Sequence, residues 1–402
     1  MKHSFYIKLV VVLVCLMFAP LLTAYGYNAD PKNESSIAEQ QQFINNQLDM
    51  LGVETIEQYW ERLHADYEQY FTNYDLPRFN DLLFSNGEKL SISKVLLALF
   101  KFLVYEIVHN GKLLVIILML SIFSMLLETL QNAFERQAIS KIAYSVTYMV
   151  LVLIAINSFT VAITYAKDAI EQMISFMLAM IPLLLTLLAS LGGVVTVSIL
   201  HPIIIFMIQI VGSIIYYIVF PLLFFSAVLH IVSAITDKFK VSQLATMLRN
   251  IAITVLGVVL TIFLGVISIQ GATSSVTDGL ALKTAKYITG NFVPVVGKMF
   301  SDAADTVIST SLIAKNAIGI VGVLVLIFIA AFPALKIAAI ALIYNVTGAI
   351  LQPLGNSPIT QCLQVIGKTL LYVFAALLVV SFMFFLAITI IITAGNTSVM
   401  IR

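Results

Sequence analysis

Long apolar segments dominate this sequence from residue 113 onward. Soluble domains keep about a quarter of their residues charged, whereas this chain of 402 residues has 11% charged and 60% hydrophobic residues. A water-soluble fold cannot bury that much apolar surface. We therefore predict an all-α, polytopic membrane protein whose helices lie in the bilayer.

Nine segments are candidate membrane helices, since about 20 apolar residues cross the hydrocarbon core. Two of them, 221–235 and 337–351, have 15 residues each and are either tilted short spans or re-entrant hairpins. The sequence thus predicts seven to nine membrane-embedded helices within a polytopic domain over residues 113–402. The nine segments are 113–131, 142–166, 172–191, 202–220, 221–235, 250–270, 318–335, 337–351 and 369–394.

The first 26 residues have the layout of a secretory signal peptide. Lys2 and Lys8 precede an apolar run over 9–22, and the small residues Ala24 and Gly26 follow it. An uncleaved anchor is the alternative, although the run is short for a span. In both cases the segment that follows should lie outside the cytoplasm.

Residues 27–90 form a predicted acidic, helical, extracytoplasmic domain. Between Tyr27 and Leu90 there are 12 of the 21 acidic residues of the chain and only 4 basic ones. Apolar residues recur there at helical spacing in two stripes. The second stripe is more typical of a packing face than of a ligand site. The stripes are Ile37, Phe43, Ile44, Leu48 and Leu51, then Ile56, Trp60, Leu63, Tyr67 and Tyr70.

Residues 91–112 are predicted to form an amphipathic helix at the membrane interface. Lys94 and Lys101 are seven residues apart and so share one helical face, from which they can reach water. A true span is the alternative, but it would place Lys101 in mid-membrane at a cost of about 2.5–3.5 kcal/mol.

Loop charges predict the orientation of the membrane helices. Arg136 and Lys141 put the first loop in the cytoplasm, and the weakly acidic 167–171 connection then falls outside. The basic stretch from Lys238 to Arg249 is cytoplasmic only if 202–235 enters the membrane and returns. We therefore expect Pro221 to break that segment into two.

Two stretches of the membrane domain resemble each other weakly. In the first stretch, Phe220-Pro221 is followed by Ser242-Gln243 and then by a long span. In the second, Phe332-Pro333 is followed by Thr360-Gln361 and then by another long span. Paired broken helices are how transporters build sites at mid-membrane. This pattern supports a stand-alone permease as the alternative function, although proline also recurs at helix ends in any apolar sequence.

The candidate site residues are polar ones that could line a pathway or contact a partner: Asp302, Asp305, Ser242, Gln243 and Glu128. Asp302 and Asp305 are three residues apart and would share a helix face. The ordinary alternative for this pair is a solvated connection. Ionisable residues at membrane depth are functional candidates because their burial is costly, but Glu128 can equally reach the interface.

The sequence carries no recognisable catalytic, cofactor or metal site. The glycine–lysine pairs near 297 and 367 lack phosphate-loop spacing. The five histidines are scattered without metal-ligand spacing. Cys362 loses its only possible partner if Cys15 is removed with the signal. We therefore expect neither an enzyme nor a cofactor, and the charge distribution does not indicate nucleic-acid binding.

Several blocks of the second half closely resemble the stage III sporulation protein AE family of endospore-forming bacteria, most strongly over residues 192–402. The blocks are HPIII at 201–205, KVSQL at 240–244, GVIS at 265–268 with QGAT at 270–273, NFVPVVG at 291–297, SDAADTVIS at 301–309, LQPLG at 351–355 and residues 386–395. The resemblance identifies kinship and carries no catalytic residues.

The resemblance implies a function and partners. It implies a membrane subunit of the channel-like complex that joins mother cell and forespore and supports late forespore gene expression. The partners would be the other stage III A sporulation proteins and the stage II Q protein of the forespore. The chain would then lie in the outer forespore membrane, with its acidic domain facing the intermembrane space.

Overall fold

A computed structural model describes residues 53–70, 79, 92–133, 138–235, 241–292, 296–355 and 357–400. In this part of the chain every regular element is helical. The predicted signal peptide and most of the acidic domain, including its first stripe, lie outside the described residues.

Nine α-helices follow one another. They are α1 (Glu54–Tyr67), α2 (Ile92–His109), α3 (Gly111–Ala133), α4 (Ala138–Ser190), α5 (Val194–Ile214), α6 (Phe220–Ile235), α7 (Ser242–Phe292), α8 (Val296–Leu351) and α9 (Pro358–Met400) among the described residues. A π-helical segment (Ile215–Val219) joins α5 to α6, and 3₁₀ turns (Glu68–Tyr70 and Gln352–Leu354) follow α1 and α8.

The described residues contain six helical stretches long and apolar enough to cross a membrane, fewer than the seven to nine predicted embedded helices. The chain is thus an all-helical protein with the helices of a membrane protein. The number is lower because three pairs of predicted segments are fused. The six stretches are Gly111–Thr129, Ile142–Ser190, Val194–Ser233, Ser242–Ile269, Thr310–Leu354 and Pro358–Ala394.

The predicted connection at 167–171 lies inside α4, which runs unbroken for 53 residues. No glycine or proline occurs between Ala138 and Ile181, and Lys and Glu are good helix formers. Asp168 and Glu171 are exposed, so the helix continues through them without burying either charge. Lys167 lies over the ring of Tyr216 at 3.9 Å from its centroid.

The predicted break at Pro221 is also wrong. Proline lacks an N–H and clashes with the carbonyl four residues earlier. The chain accommodates it with the π-helical segment, in which the N–H of Phe220 bonds to the carbonyl of Ile215. The helix therefore continues into α6. Pro333 likewise lies within α8, so the paired broken helices expected of a permease are not found at these two prolines.

The helices α8 and α9 form the centre of the bundle. They are antiparallel, since Lys315 contacts Ile392 and Gly348 faces Gln364, and α8 packs most extensively against α9 and then α4. In the most apolar window of α8, 78% of the residues are buried, against 22% in α3. Much of the apolar character of α8 thus serves protein packing.

The chain from α5 to α6 runs antiparallel to both α4 and α7. Phe224 contacts Phe159 of α4, and Ser226 donates a hydrogen bond to the carbonyl of Ala245 in α7 at 2.7 Å. The end of α6 and the start of α7 therefore lie at the same end of the bundle as the end of α3 and the start of α4. The predicted orientation puts both of these connections in the cytoplasm. The absent breaks at 167–171 and at Pro221 remove two crossings of the membrane, and an even number leaves the two connections on the same side.

Close packing between α8 and α9 depends on small residues, as is common in membrane proteins. A Cβ atom at Gly367 would lie 2.8 Å from the side chain of Asn345. The amide of Asn345 donates to the carbonyl of Ala341 at 2.8 Å, which fixes its position.

Candidate functional site

The structure does not bring the predicted site residues together. Ser242 and Gln243 begin α7, whereas Asp302 and Asp305 lie near the start of α8. The 51 residues of α7 separate these positions, a distance of about 75 Å along the helix axis. The side chains of Asp302 and Asp305 lie outside what the structure describes. Glu128 lies near the end of the Gly111–Thr129 stretch, partly exposed.

Ser242 and Gln243 line an open groove along α7. The groove has a volume of about 570 Å³ and is also lined by Thr246, Asn250 and Thr254 among others. The hydroxyl of Thr246 donates back to the carbonyl of Ser242 at 2.9 Å. The groove is thus open and mostly apolar, with a few polar side chains along it.

A small polar cluster behind the groove joins α6 to α7. Nδ1 of His230 lies 2.9 Å from the carbonyl of Ser226, and because a carbonyl only accepts, Nδ1 carries the proton of that bond. Nε2 of His230 faces the Thr246 hydroxyl at 3.4 Å. His230 is therefore a hydrogen-bonded packing residue.

Asp278, on α7, is a buried carboxylate that sequence reasoning missed. Its side chain is 1% exposed, and its two oxygens accept hydrogen bonds from the backbone N–H groups of Val195 at 3.0 Å and Thr196 at 2.9 Å. These donors lie in the first turn of α5, where N–H groups lack partners within the helix. A carboxylate is favourable at this positive end.

The reason for this arrangement is the tight turn before α5. Gly192 has a φ of +87°, which favours glycine, and the N-cap Gly193 has no side chain that could cap the helix. Asp278 supplies the cap from α7, 83 residues away from Val195. A lone aspartate in a segment of small and apolar residues was the only signal in the sequence.

Lys315, on α8, is the second buried ionisable residue that sequence reasoning missed. It is 0% exposed, and its Nζ donates to the carbonyl of Ile392 at 2.8 Å and to Oδ1 of Asn396 at 3.0 Å. Among the described residues no ion pair to Lys315 is found within 4.0 Å. The ammonium therefore ties α8 to the last turns of α9.

Near the other end of the bundle a tyrosine joins α8 to α4. The hydroxyl of Tyr344 donates to Oγ of Ser158 at 2.9 Å. Cys362 is a buried free thiol. The described residues hold no group of three or more His, Cys, Asp or Glu side chains that could bind a metal. The hydrogen bonds of Asp278, Lys315 and Tyr344 each connect two long helices and hold them in register.

The second apolar stripe of the acidic domain is a packing face. On α1, Trp60 packs against Phe328, and Tyr67 stacks on Phe332 at 3.4 Å between centroids. Tyr59 contacts Phe176 of α4 at 5.3 Å. The acidic helix α1 thus docks directly on the two longest helices.

Fold and polar contacts together define a class: a membrane-type helical bundle whose buried polar groups connect helices. The family model of stage III sporulation protein AE matches residues 74–395. A protein named stage III sporulation protein AE from Bacillus subtilis (strain 168) is 49% identical over 403 residues, covering 100% of each chain. No solved structure matches.

The chain therefore belongs to the stage III sporulation protein AE family. The match starts at residue 74, well before residue 192, so the likeness extends further than the blocks of the second half indicated. Membership of this family supports a role in sporulation.

Proposed function

We propose that this protein is a membrane subunit of the channel-like complex between mother cell and forespore, required for endospore formation and late forespore gene expression. The observation that carries the proposal is the full-length, 49% identical relative with a sporulation name. The fused helices support a structural subunit over a permease, because the alternative rested on helix breaks at Pro221 and Pro333.

The proposal includes the place and the partners of the protein. It lies in the outer forespore membrane, with a cleaved signal and an extracytoplasmic acidic domain. It acts with the other stage III A sporulation proteins and the stage II Q protein, and it is not an enzyme. The acidic helix α1 supports a role in assembly, because its docked face leaves Glu54, Glu61 and Asp66 exposed.

The test is purification of a functional, tagged protein from sporulating cells after mild cross-linking. Recovery of the stage III A and stage II Q proteins, together with a block in late forespore gene expression on deletion, supports the proposal. A deletion strain that forms normal spores contradicts it. Uptake of a solute by the purified protein alone in liposomes would instead support the permease.

The polar pair at the start of α8 gives a sharper test within the same strain. Replacing both Asp302→Ala and Asp305→Ala should lower spore yield without lowering the amount of protein. The matched control is the exposed Asp168→Ala on α4. Wild-type spore yield from the double variant would exclude the pair from function.

A further inference from the structure

The exposed face of α4 changes from apolar to polar part-way along one continuous helix. In its first part the exposed residues are apolar apart from Ser145, and Ile142, Val146, Met149 and Leu153 are 64%, 57%, 65% and 61% exposed. From residue 154 to 190 every exposed residue except Pro182 is polar. We call this second part the α4 polar face; it consists of Asn157, Thr160, Thr164, Asp168, Glu171, Gln172, Ser175, Thr186 and Ser190.

The hydroxyls of the α4 polar face do not by themselves require water. Thr160, Thr164 and Ser190 each donate to a carbonyl four residues earlier, at 2.9 to 3.1 Å, and such self-satisfied hydroxyls are tolerated in lipid. The charged residues of the α4 polar face, in contrast, do indicate water. Asp168 and Glu171 are exposed, and a carboxylate at mid-membrane costs about 3 kcal/mol.

Helix α1 is docked beside the same part of α4. Tyr59 contacts Phe176, which lies within the polar half. The outward side of α1 and the turn that follows it carry exposed Glu54, Glu61, Asp66 and Glu68. Hydrocarbon around this part of α4 would have to enclose these carboxylates as well, each at a similar cost.

The lengths agree with a border near Asn157. The neighbouring helix α3 has an apolar stretch of 19 residues, about 28 Å long at 1.5 Å per residue. From Ala138 to Asn157, α4 covers about 30 Å, which is the thickness of the hydrocarbon core. The α4 polar face then extends about 50 Å further.

We infer that hydrocarbon on the α3 side of the bundle ends between Leu153 and Asn157, and that the α4 polar face lies in water outside the cytoplasm. The lipid-facing surface is the apolar part of α3 and α4. The side follows from Arg136, between α3 and α4, and Lys141, in the first turn of α4, because both belong in the cytoplasm by the positive-inside rule. This inference does not depend on the sporulation complex.

The test is single-cysteine labelling with a membrane-impermeant maleimide in intact protoplasts of non-sporulating cells that produce the protein, in which the extracytoplasmic side of the membrane faces the medium. The background carries Cys15→Ser and Cys362→Ala. Met149→Cys and Leu153→Cys probe the lipid-facing part, and Thr164→Cys and Ser175→Cys probe the α4 polar face. Ala155→Cys, at a fully buried position, is the control for non-specific reaction, and relabelling in denaturant confirms that each thiol is present.

We expect Thr164→Cys and Ser175→Cys to react on the order of tenfold faster than the other three, because maleimide needs a water-exposed thiolate. Equal, slow reaction at all five positions overturns the inference, because lipid or protein would then cover the polar face. Reaction only after lysis of the protoplasts overturns the assigned side.

Discussion

Removing the carboxylate of Asp278 should be among the most damaging single changes in this bundle. Asp278→Ala leaves the N–H groups of Val195 and Thr196 without their acceptor. Hydrogen bonds to a charged group contribute about 1.5–3 kcal/mol each. Since two bonds to one residue are not additive, we expect a loss of about 3–5 kcal/mol. Asp278→Asn keeps one acceptor oxygen and should cost about 1–3 kcal/mol.

The assay is unfolding of the purified protein in mixed micelles, followed by helical circular dichroism and by the fluorescence of Trp60. Trp60 is the one tryptophan of the sequence, and it is buried against Phe328. Asp168→Ala is the control, since an exposed carboxylate should change stability by less than about 0.5 kcal/mol. If Asp278→Ala unfolds with the same midpoint as that control, the capping argument is refuted.

Three further substitutions test other contacts. Lys315→Met keeps the buried stem but loses both hydrogen bonds of the ammonium, and it should cost about 1–3 kcal/mol in the same assay. Lys315→Ala also leaves a cavity and should cost about 2–4 kcal/mol more. Unchanged stability of Lys315→Met would contradict the role of the ammonium in joining α8 to α9. Gly367→Ala should lower the free energy of unfolding by about 1–3 kcal/mol, because the new methyl group displaces the Asn345 side chain. Adding Asn345→Ala should restore most of this lost stability. Additive losses in the double variant would contradict the contact between the two positions. Trp60→Ala should weaken docking of α1 by about 3 kcal/mol or more and so expose residues 53–70 to protease. Glu61→Ala, at an exposed neighbouring position, should not increase cleavage. Equal cleavage of the two variants would contradict the role of Trp60 in docking.

The sequence was sufficient for the helical class, because apolar segments of membrane length have few other folds available. It was insufficient for helix ends. The charges from Lys167 to Glu171 are typical of a loop in the sequence, yet Asp168 and Glu171 lie on the exposed face of α4 and the helix continues through them. The sequence also predicts a helix break at Pro221, but a π-helical segment accommodates its missing N–H donor.

The polar contacts were harder to predict than the helices. Asp278 acquires its role from a helix end 83 residues away from it in sequence, and Lys315 acquires its role from α9, 77 residues away. Neither partner is visible in local spacing. The stripe of Ile56, Trp60 and Tyr67 was recognisable because a packing face repeats along one helix.

Extraction of native membranes tests most directly whether hydrocarbon surrounds these helices. Membranes from sporulating cells are washed with alkaline carbonate and with urea, and the protein is followed in pellet and supernatant. We predict that it stays in the pellet after both washes and is released only by detergent. Release by carbonate as a folded, detergent-free monomer would contradict the membrane assignment.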